Sequence, residues 1–236
     1  MKLTQKQIDF LNRYTIGSWS LNPKTGLVNI KGDFNCPCQE LESLQGVKFG
    51  KVSGYFDCRF NNLTSLEGAP QKVGGNFACW NNNLTSLIGA PQEVGGCFYC
   101  YNNILTSLEG GPQEVGGNFY CRHNKLTSLV GAPQEVGGNF YCLNNQLTSL
   151  VGGPQKVGGD FYCGNNPIKE ELLEMIWERM KGGIPYFIAL HSLKKEIDDF
   201  KKESKDKKSY DLLLNQIVDE DLAKGACLLN KFGIYS

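Results

Sequence analysis

The sequence predicts an α/β repeat solenoid, in which short parallel strands stack into one sheet with helical segments before and after it. The first observation is a pattern that occurs seven times between residues 32 and 166. Its Phe-x-Cys core lies at Phe34/Cys36, Phe56/Cys58, Phe77/Cys79, Phe98/Cys100, Phe119/Cys121, Phe140/Cys142 and Phe161/Cys163. The second observation is the period, which is 22 residues for the first step and 21 for each of the other five. Such a fixed period is typical of units that bury their apolar sides against each other.

Composition and charge restrict the classes of partner. The chain has 236 residues, of which 41% are hydrophobic, so it can bury a substantial core. Its 24 basic and 24 acidic residues give a formal net charge of zero, which disfavours nucleic acid or an anionic membrane as the partner of the whole molecule. No segment approaches the ~20 apolar residues of a membrane span, and the first residues lack the apolar run of a signal peptide. We therefore expect a cytoplasmic protein that does not bind membranes.

Seven of the ten cysteines occupy one position of the repeat. Equivalent positions in stacked strands lie about 4.8 Å apart, so these cysteines should form a column of small buried side chains. Their even use favours free thiols and a reducing compartment.

The other close cysteine pairs do not predict a metal site. Cys97 and Cys100 are three residues apart in a strand, so they face opposite sides. Cys36 and Cys38 share a face only if the strand continues past Pro37, and no second pair has zinc-finger spacing. We expect neither a metal nor another cofactor.

Residues 1–31 are predicted to cover the open N-terminal end of the solenoid with a helix and a hairpin. Ile8 and Leu11 have helical spacing, and Thr4 followed by Gln7 is typical of a capping box, so residues 4–14 should form a short helix. An Asn-Pro-Lys-Thr-Gly turn at residues 22–26 lies between two apolar segments, which indicates a hairpin. Its second strand should run directly into the first repeat.

Positions after the strand predict how each unit turns. An asparagine recurs three residues after the cysteine, as at Asn124, where its amide can bond to the turn backbone. Leucines five and eight residues after the cysteine, such as Leu126 and Leu129, should return to the core. The link at residues 131–136 is short and rich in Gly and Pro, so it predicts turns or one 3₁₀ turn on the convex side.

The string from Phe119 to Leu126 resembles the L-x-L-x-x-N-x-L strand and turn of leucine-rich repeats, with Phe and Cys in two leucine positions. The resemblance covers all seven units, residues 32–166, and implies a short-repeat parallel sheet. One departure is Val115, which lies four residues before Phe119 where the family usually has three. The pattern V-G-G-x-F-x-C-x-x-N-x-L-T-S-L is also similar to repeats of proteins encoded by tailed phages and by the bacteria that carry them. This implies a bacterial cell, or an infected one, as the place of action.

Residues 167–236 are predicted to form a helical region that caps the last repeat. Asn166 and Pro167 are typical of a helix start, because asparagine caps a helix and proline suits its first position. Three helices are expected, at about residues 167–182, 185–200 and 210–224, each with an apolar stripe.

The candidate binding residues lie on the predicted concave, solvent-facing side of the sheet. The position between Phe and Cys holds four consecutive tyrosines, and other aromatic and basic residues follow Cys in the same units. The partner-binding set is Arg59, Trp80, Tyr99, Tyr101, Tyr120, Arg122, His123, Tyr141 and Tyr162.

Two interpretations of the tyrosines are open. Aromatic residues suit strands and support one another across a ladder without any ligand. Alternatively, Tyr, Trp and Arg on an exposed rigid surface anchor a protein partner, since these types dominate interface energetics. The first three units carry Asn35, Asp57 and Ala78 at the tyrosine position, which favours binding because stacking alone would select aromatics there too.

Little in the sequence suggests catalysis. The two histidines, His123 and His191, have no acid at a fixed spacing, and Cys97 has no evident base. The repeated Gly-Gly pairs precede a strand and not a helix, so they do not form a phosphate-binding loop. We expect a non-enzymatic protein.

The expected function is protein binding by the concave face. More specifically, we expect a phage-encoded factor that binds and inhibits a bacterial host defence protein. One alternative is a nucleotide or single-stranded nucleic-acid binder that uses aromatic stacking. Another is a scaffold whose C-terminal helices carry the interaction, near Trp177, Phe187 and Phe200.

Overall fold

The chain forms a solenoid of parallel β-coils, in which each coil pairs with the coil about 21 residues further along. This computed structural model describes residues 2–148, 150 and 152–167. The predicted C-terminal helices, at residues 168–236, lie outside the described residues. The repeat solenoid with a parallel sheet is confirmed.

The predicted helix and hairpin are both present at the N-terminal end. Helix α1 (Gln5–Tyr14) has Thr4 as its N-cap, and the side chains and backbone of Thr4 and Gln7 make the reciprocal bonds of a capping box. Strands β1 (Thr15–Leu21) and β2 (Val28–Asn35) pair antiparallel. The ring of Phe10 lies 5.4 Å from that of Phe34, so α1 covers the core of the first coil. No helix among the described residues has the length and apolarity needed to cross a bilayer.

Two parallel ladders run the length of the described solenoid, and β2 takes part in both. One ladder, which we call the phenylalanine ladder, continues from β2 through β4 (Phe56–Asp57), β6 (Phe77–Ala78), β8 (Phe98–Tyr99), β10 (Phe119–Tyr120), β12 (Phe140–Tyr141) and β14 (Phe161–Tyr162). The other, the valine ladder, contains β3 (Phe49–Val52), β5 (Lys72–Val73), β7 (Glu93–Val94), β9 (Glu114–Val115), β11 (Glu135–Val136) and β13 (Lys156–Val157). The valine ladder corrects the sequence analysis, which assigned these residues to turns.

The interior is built from identical side chains in register. Between Phe56 and Phe161 the phenylalanine rings stack with centroids 5.0–5.5 Å apart, and every one is at most 3% exposed. Six of the seven cysteines of the predicted column are buried, and Cys163 at its end is partly buried. The Sγ of Cys121 donates to the Tyr141 carbonyl of the next coil at 3.4 Å. Burial raises the pKa of the Cys36 thiol to about 12, so the thiol stays protonated and behaves as a small hydrophobe.

The asparagine column holds the turns of neighbouring coils together, as the sequence analysis predicted. Asn124 Nδ2 donates to the carbonyl of Cys121 in its own coil at 3.0 Å and to that of Cys100 in the preceding coil at 3.1 Å. Its Oδ1 accepts from the backbone N–H of Leu105 at 3.0 Å. The residue before each column asparagine is left-handed, with φ between 52° and 57°. One amide therefore satisfies three buried backbone groups that the tight turn leaves unpaired.

Close backbone approach requires glycine where the valine strand meets the phenylalanine strand. A Cβ added to Gly116 would overlap the carbonyl oxygen of Gly95 in the preceding coil, and Gly137 has the same relation to Gly116. These glycines have ordinary φ angles, so the lack of a side chain is what the site requires.

Candidate partner-binding face

Four tyrosines form a continuous stack on the outer side of the phenylalanine ladder. We call the surface that carries them the tyrosine face and the stack itself the tyrosine ladder: Tyr99, Tyr120, Tyr141 and Tyr162. Consecutive ring centroids lie 4.8, 4.5 and 4.6 Å apart, with interplanar angles of 12°, 3° and 1°. Tyr99, Tyr120 and Tyr141 are partly exposed, whereas Tyr162 is only 8% exposed. The rings are therefore held in one orientation by their neighbours.

Hydrogen bonds from asparagines of the same coil fix the hydroxyls of Tyr120 and Tyr141. Asn118 Nδ2 donates to the Tyr120 hydroxyl at 2.9 Å, and Asn139 Nδ2 donates to the Tyr141 hydroxyl at 2.9 Å. Partial burial is the main reason that the pKa of Tyr120 is raised. Together the stack and the hydrogen bonds leave these rings little rotational freedom.

A second column runs beside the tyrosine ladder, and we call it the arginine-capped stack: Arg59, Trp80, Tyr101 and Arg122. The rings of Trp80 and Tyr101 stack at 4.8 Å with an interplanar angle of 16°. The Arg59 guanidinium lies 5.5 Å from the Trp80 ring, and that of Arg122 lies 4.9 Å from the Tyr101 ring. A cation thus closes each end of this aromatic pair.

His123 stands apart from both columns. It lies in the turn after Arg122, with a left-handed φ of 53° and an exposed side chain. Its Nε2 is 3.4 Å from Nδ2 of Asn144 in the next coil. Eight of the nine predicted binding residues thus share two adjacent columns, and His123 lies at their edge.

The tyrosine ladder ends in a pocket of about 450 Å³. In the coils before Tyr99 the ladder position is occupied by shorter side chains, which leave space above the sheet. Among the residues that line this pocket are Asn35, Tyr55, Asp57, Ala78, Trp80 and Tyr99. The sequence analysis did not include Tyr55 or Asp57 in the site. The sequence did contain an indication of this pocket. At the repeat position between Phe and Cys, the side chain is Asn, Asp and Ala in the first three units and tyrosine in the last four.

A carboxylate lies at the base of this pocket. Asp57 is 8% exposed; its Oδ1 accepts from the Arg59 backbone N–H at 3.1 Å, and its Oδ2 lies 3.4 Å from the Arg59 Nε. Burial nevertheless raises the pKa of Asp57, because the contacts with Arg59 compensate only part of the desolvation cost. The Asn35 Oδ1 beside it is buried and has no hydrogen-bond partner among the described residues. The pocket therefore offers acceptors at its base and aromatic rings in its walls.

No family model, curated protein or solved structure matches this chain. The two columns and the pocket are therefore the observations from which a function can be proposed.

Asp57→Asn is expected to stabilise the fold at neutral pH. Asparagine keeps the acceptor for the Arg59 N–H and removes the buried charge. The folded pKa of Asp57 is raised above the unfolded value of about 3.9, so the wild type loses stability relative to the variant as the pH rises through the folded pKa. Denaturant midpoints of both proteins should agree at about pH 4 and diverge by pH 7, in favour of the variant. If the wild type instead becomes more stable relative to the variant as the pH rises, this expectation is wrong.

Proposed function

We propose that the protein is a non-enzymatic binding module that holds a protein partner on the tyrosine face. The observation that carries this proposal is the alignment of the tyrosine ladder and the arginine-capped stack as two adjacent columns on one face. Tyr, Trp and Arg are the residue types that contribute most energy to protein interfaces. Here they are concentrated on a single surface.

The stacking supports binding on energetic grounds. Ordering a flexible side chain at an interface costs roughly 0.5–1.5 kcal/mol. Tyr120 and Tyr141 already have a ring on each side, and each hydroxyl is bonded to an asparagine of its own coil. Most of this cost is therefore met during folding, before a partner arrives.

The same stacking disfavours a nucleic-acid partner. Single-stranded nucleic acid binds by placing bases on free aromatic faces. Both faces of Tyr120 and Tyr141 are covered by neighbouring rings, and the pocket at the end of the ladder contains the Asp57 carboxylate, which repels phosphate. A protein partner fits this surface better.

Our proposal extends to family and origin. We propose that the coils are leucine-rich repeats and that the protein is a phage-encoded cytoplasmic factor that inhibits a bacterial host defence protein. The asparagine of each turn and the paired leucines support the first part, and the repeat pattern motivates the second. The nine described cysteines are free thiols, which fits a reducing cytoplasm.

Replacing Tyr120, Tyr141 and Arg122 together with alanine tests the binding face. The wild-type protein would be used to capture its partner from a bacterial host, followed by mass spectrometry and a binding assay with the purified partner. The triple variant is expected to bind that partner at least about 100-fold more weakly, because each anchor contributes on the order of 1–2 kcal/mol.

The matched control replaces Glu114 and Glu135, two exposed residues of the valine ladder, with alanine. This control should bind like the wild type. A triple variant that remains folded and retains full affinity would exclude the tyrosine face and direct attention to residues 167–236.

A further inference from the structure

The ring of Tyr99 has one covered face and one open face. Tyr120 stacks on the covered face at 4.8 Å. The opposite face points along the ladder towards Ala78, which pairs with Tyr99 in the neighbouring strand. The side chain of Ala78 is a single methyl group, which is too short to cover the ring. Because Tyr99 lines the pocket, its open face forms one wall. The ladder therefore has a vacant position above Ala78.

On the other side of this vacant position lies Asp57. It pairs with Ala78 in the strand register, just as Ala78 pairs with Tyr99. Adjacent strands are about 4.8 Å apart, so a group above Ala78 would have the Tyr99 ring on one side and the Asp57 carboxylate on the other, each at contact distance. A planar cation satisfies both neighbours at once.

The neighbouring column shows how this chain ends an aromatic stack. Arg59 covers the outer face of Trp80, and Arg122 covers the outer face of Tyr101. Arg59 also contacts an acid, Asp57, while it lies against a ring. The tyrosine ladder has the same kind of open end beside the same acid, but no arginine of the described chain occupies it.

We propose that the pocket above Ala78 binds an arginine side chain of the protein partner, with its guanidinium stacked on Tyr99 and hydrogen-bonded to Asp57. This inference rests on the proposed function, because it names the partner chemistry that the tyrosine face recognises. A carboxylate has about four lone-pair sites, and Arg59 uses only some of those on Asp57. The Oδ1 of Asn35 accepts no hydrogen bond within the described chain, so it is available as an acceptor for a further guanidinium N–H.

Other occupants fit this position less well. A lysine ammonium is compact and strongly hydrated, and it has no plane to lie against Tyr99. A neutral planar group such as a nucleobase can stack, but it leaves the buried charge of Asp57 without a further partner. Arginine is the natural side chain that is both planar and permanently charged.

The first test uses N-acetyl-arginine methylamide as the probe, with N-acetyl-citrulline methylamide as a neutral isostere and adenosine monophosphate as a nucleotide. Binding to the full chain is followed by the NMR shifts of the backbone amides near Ala78 and Asp57. The arginine probe is expected to shift these signals and to bind at least about fivefold more tightly than citrulline, because the charge contributes to both contacts. Equal binding of citrulline, tighter binding of the nucleotide, or no shift with the arginine probe would each overturn the proposal.

The second test fills the pocket with Ala78→Tyr. Four later coils carry tyrosine at this position, and Asn76 stands where Asn118 and Asn139 bond the hydroxyls of Tyr120 and Tyr141. The new ring should continue the ladder and abolish probe binding without loss of stability. The control Glu114→Tyr adds a ring to the valine ladder and should leave probe binding unchanged. If the Ala78→Tyr variant binds the arginine probe as tightly as the wild type, the probe binds outside this pocket and the proposal is wrong.

The variant Asp57→Asn tests the contact with the carboxylate. It is expected to lower the affinity for the arginine probe about tenfold.

Partner binding separates this inference from the proposed function. If both hold, the purified partner loses affinity for the Ala78→Tyr variant as well as for the Tyr120/Tyr141/Arg122 variant. Loss with the triple variant alone would support the tyrosine face and overturn the arginine pocket. Full affinity of the triple variant would overturn the proposed function, and the shifts caused by the arginine probe would then still decide whether the pocket binds arginine.

Discussion

Asn124→Asp is expected to lower the free energy of unfolding by about 3–5 kcal/mol, because it leaves an uncompensated charge in the core. The substitution preserves the shape of the side chain but replaces its amide donor with a carboxylate oxygen. That oxygen would face the carbonyl oxygens of Cys121 and Cys100, which lie 3.0 and 3.1 Å from Nδ2 in the native protein. Each carbonyl would lose one of its two amide donors, since Asn103 also donates to Cys100 and Asn145 also donates to Cys121. The two coils would keep the bond from the Leu105 N–H but lose the bond from Nδ2 to Cys100.

Chemical denaturation monitored by circular dichroism measures this effect. Asn83→Asp provides the matched control, since Asn83 is the exposed residue directly after a column asparagine. Its side chain makes no hydrogen bond within the described chain, so the control should differ from the wild type by less than about 0.5 kcal/mol. Similar losses for the two variants would mean that the asparagine column does not stabilise the turns.

Phe119→Ala is expected to cost about 3–5 kcal/mol of stability through the cavity that it leaves. The Phe119 ring is fully buried between Phe98 and Phe140, at centroid distances of 5.3 and 5.2 Å. Both neighbours belong to strands held by backbone hydrogen bonds on each side, so they cannot move together to close the gap.

The adjacent residue supplies a comparison on the opposite side of the same strand. Tyr120 also lies between two rings, at 4.8 and 4.5 Å, but it is partly exposed. Tyr120→Ala should therefore cost only about 1 kcal/mol, since solvent fills the space that it vacates. Thermal unfolding of the two variants checks the difference. If Tyr120→Ala proves as costly as Phe119→Ala, the tyrosine ladder is a structural element, and the loss of partner binding in the triple variant could result from unfolding.

Periodicity explains why most of the fold could be predicted from the sequence. A constant step brings equal positions into contact, so Phe119 must meet Phe98 and Phe140, and Asn124 must lie beside the turn of the preceding coil. The valine ladder was missed for an equally physical reason. Glu135–Val136 is two residues long and lies between a Pro-Gln and a Gly-Gly pair, and alternation cannot be recognised over two residues. Only the spatial pairing of coils makes it a strand.

The candidate face was predictable in outline but not in its contacts. Alternation placed the tyrosines on the outer side of the strand, and their stacking follows from the register. The positions of Arg59 and Arg122 against Trp80 and Tyr101 depend on long side chains with many rotamers, which a sequence pattern does not determine. The pocket was also missed, because it is defined by the short side chain of Ala78, whereas the sequence analysis selected aromatic and charged residues.

The equivalence of the coils has a consequence at the level of the gene. Within residues 2–148, 150 and 152–167, each inner coil pairs with the coil before it and the coil after it through the same phenylalanine, cysteine, asparagine and glycine positions. A duplication or deletion of one whole repeat by recombination therefore preserves these shared contacts at every remaining junction. Such an event within the tyrosine-bearing repeats would lengthen or shorten the aromatic surface by about 4.8 Å while leaving the pocket at its end intact. The length of the binding surface can thus change with the number of repeats, while the pocket keeps the same chemistry.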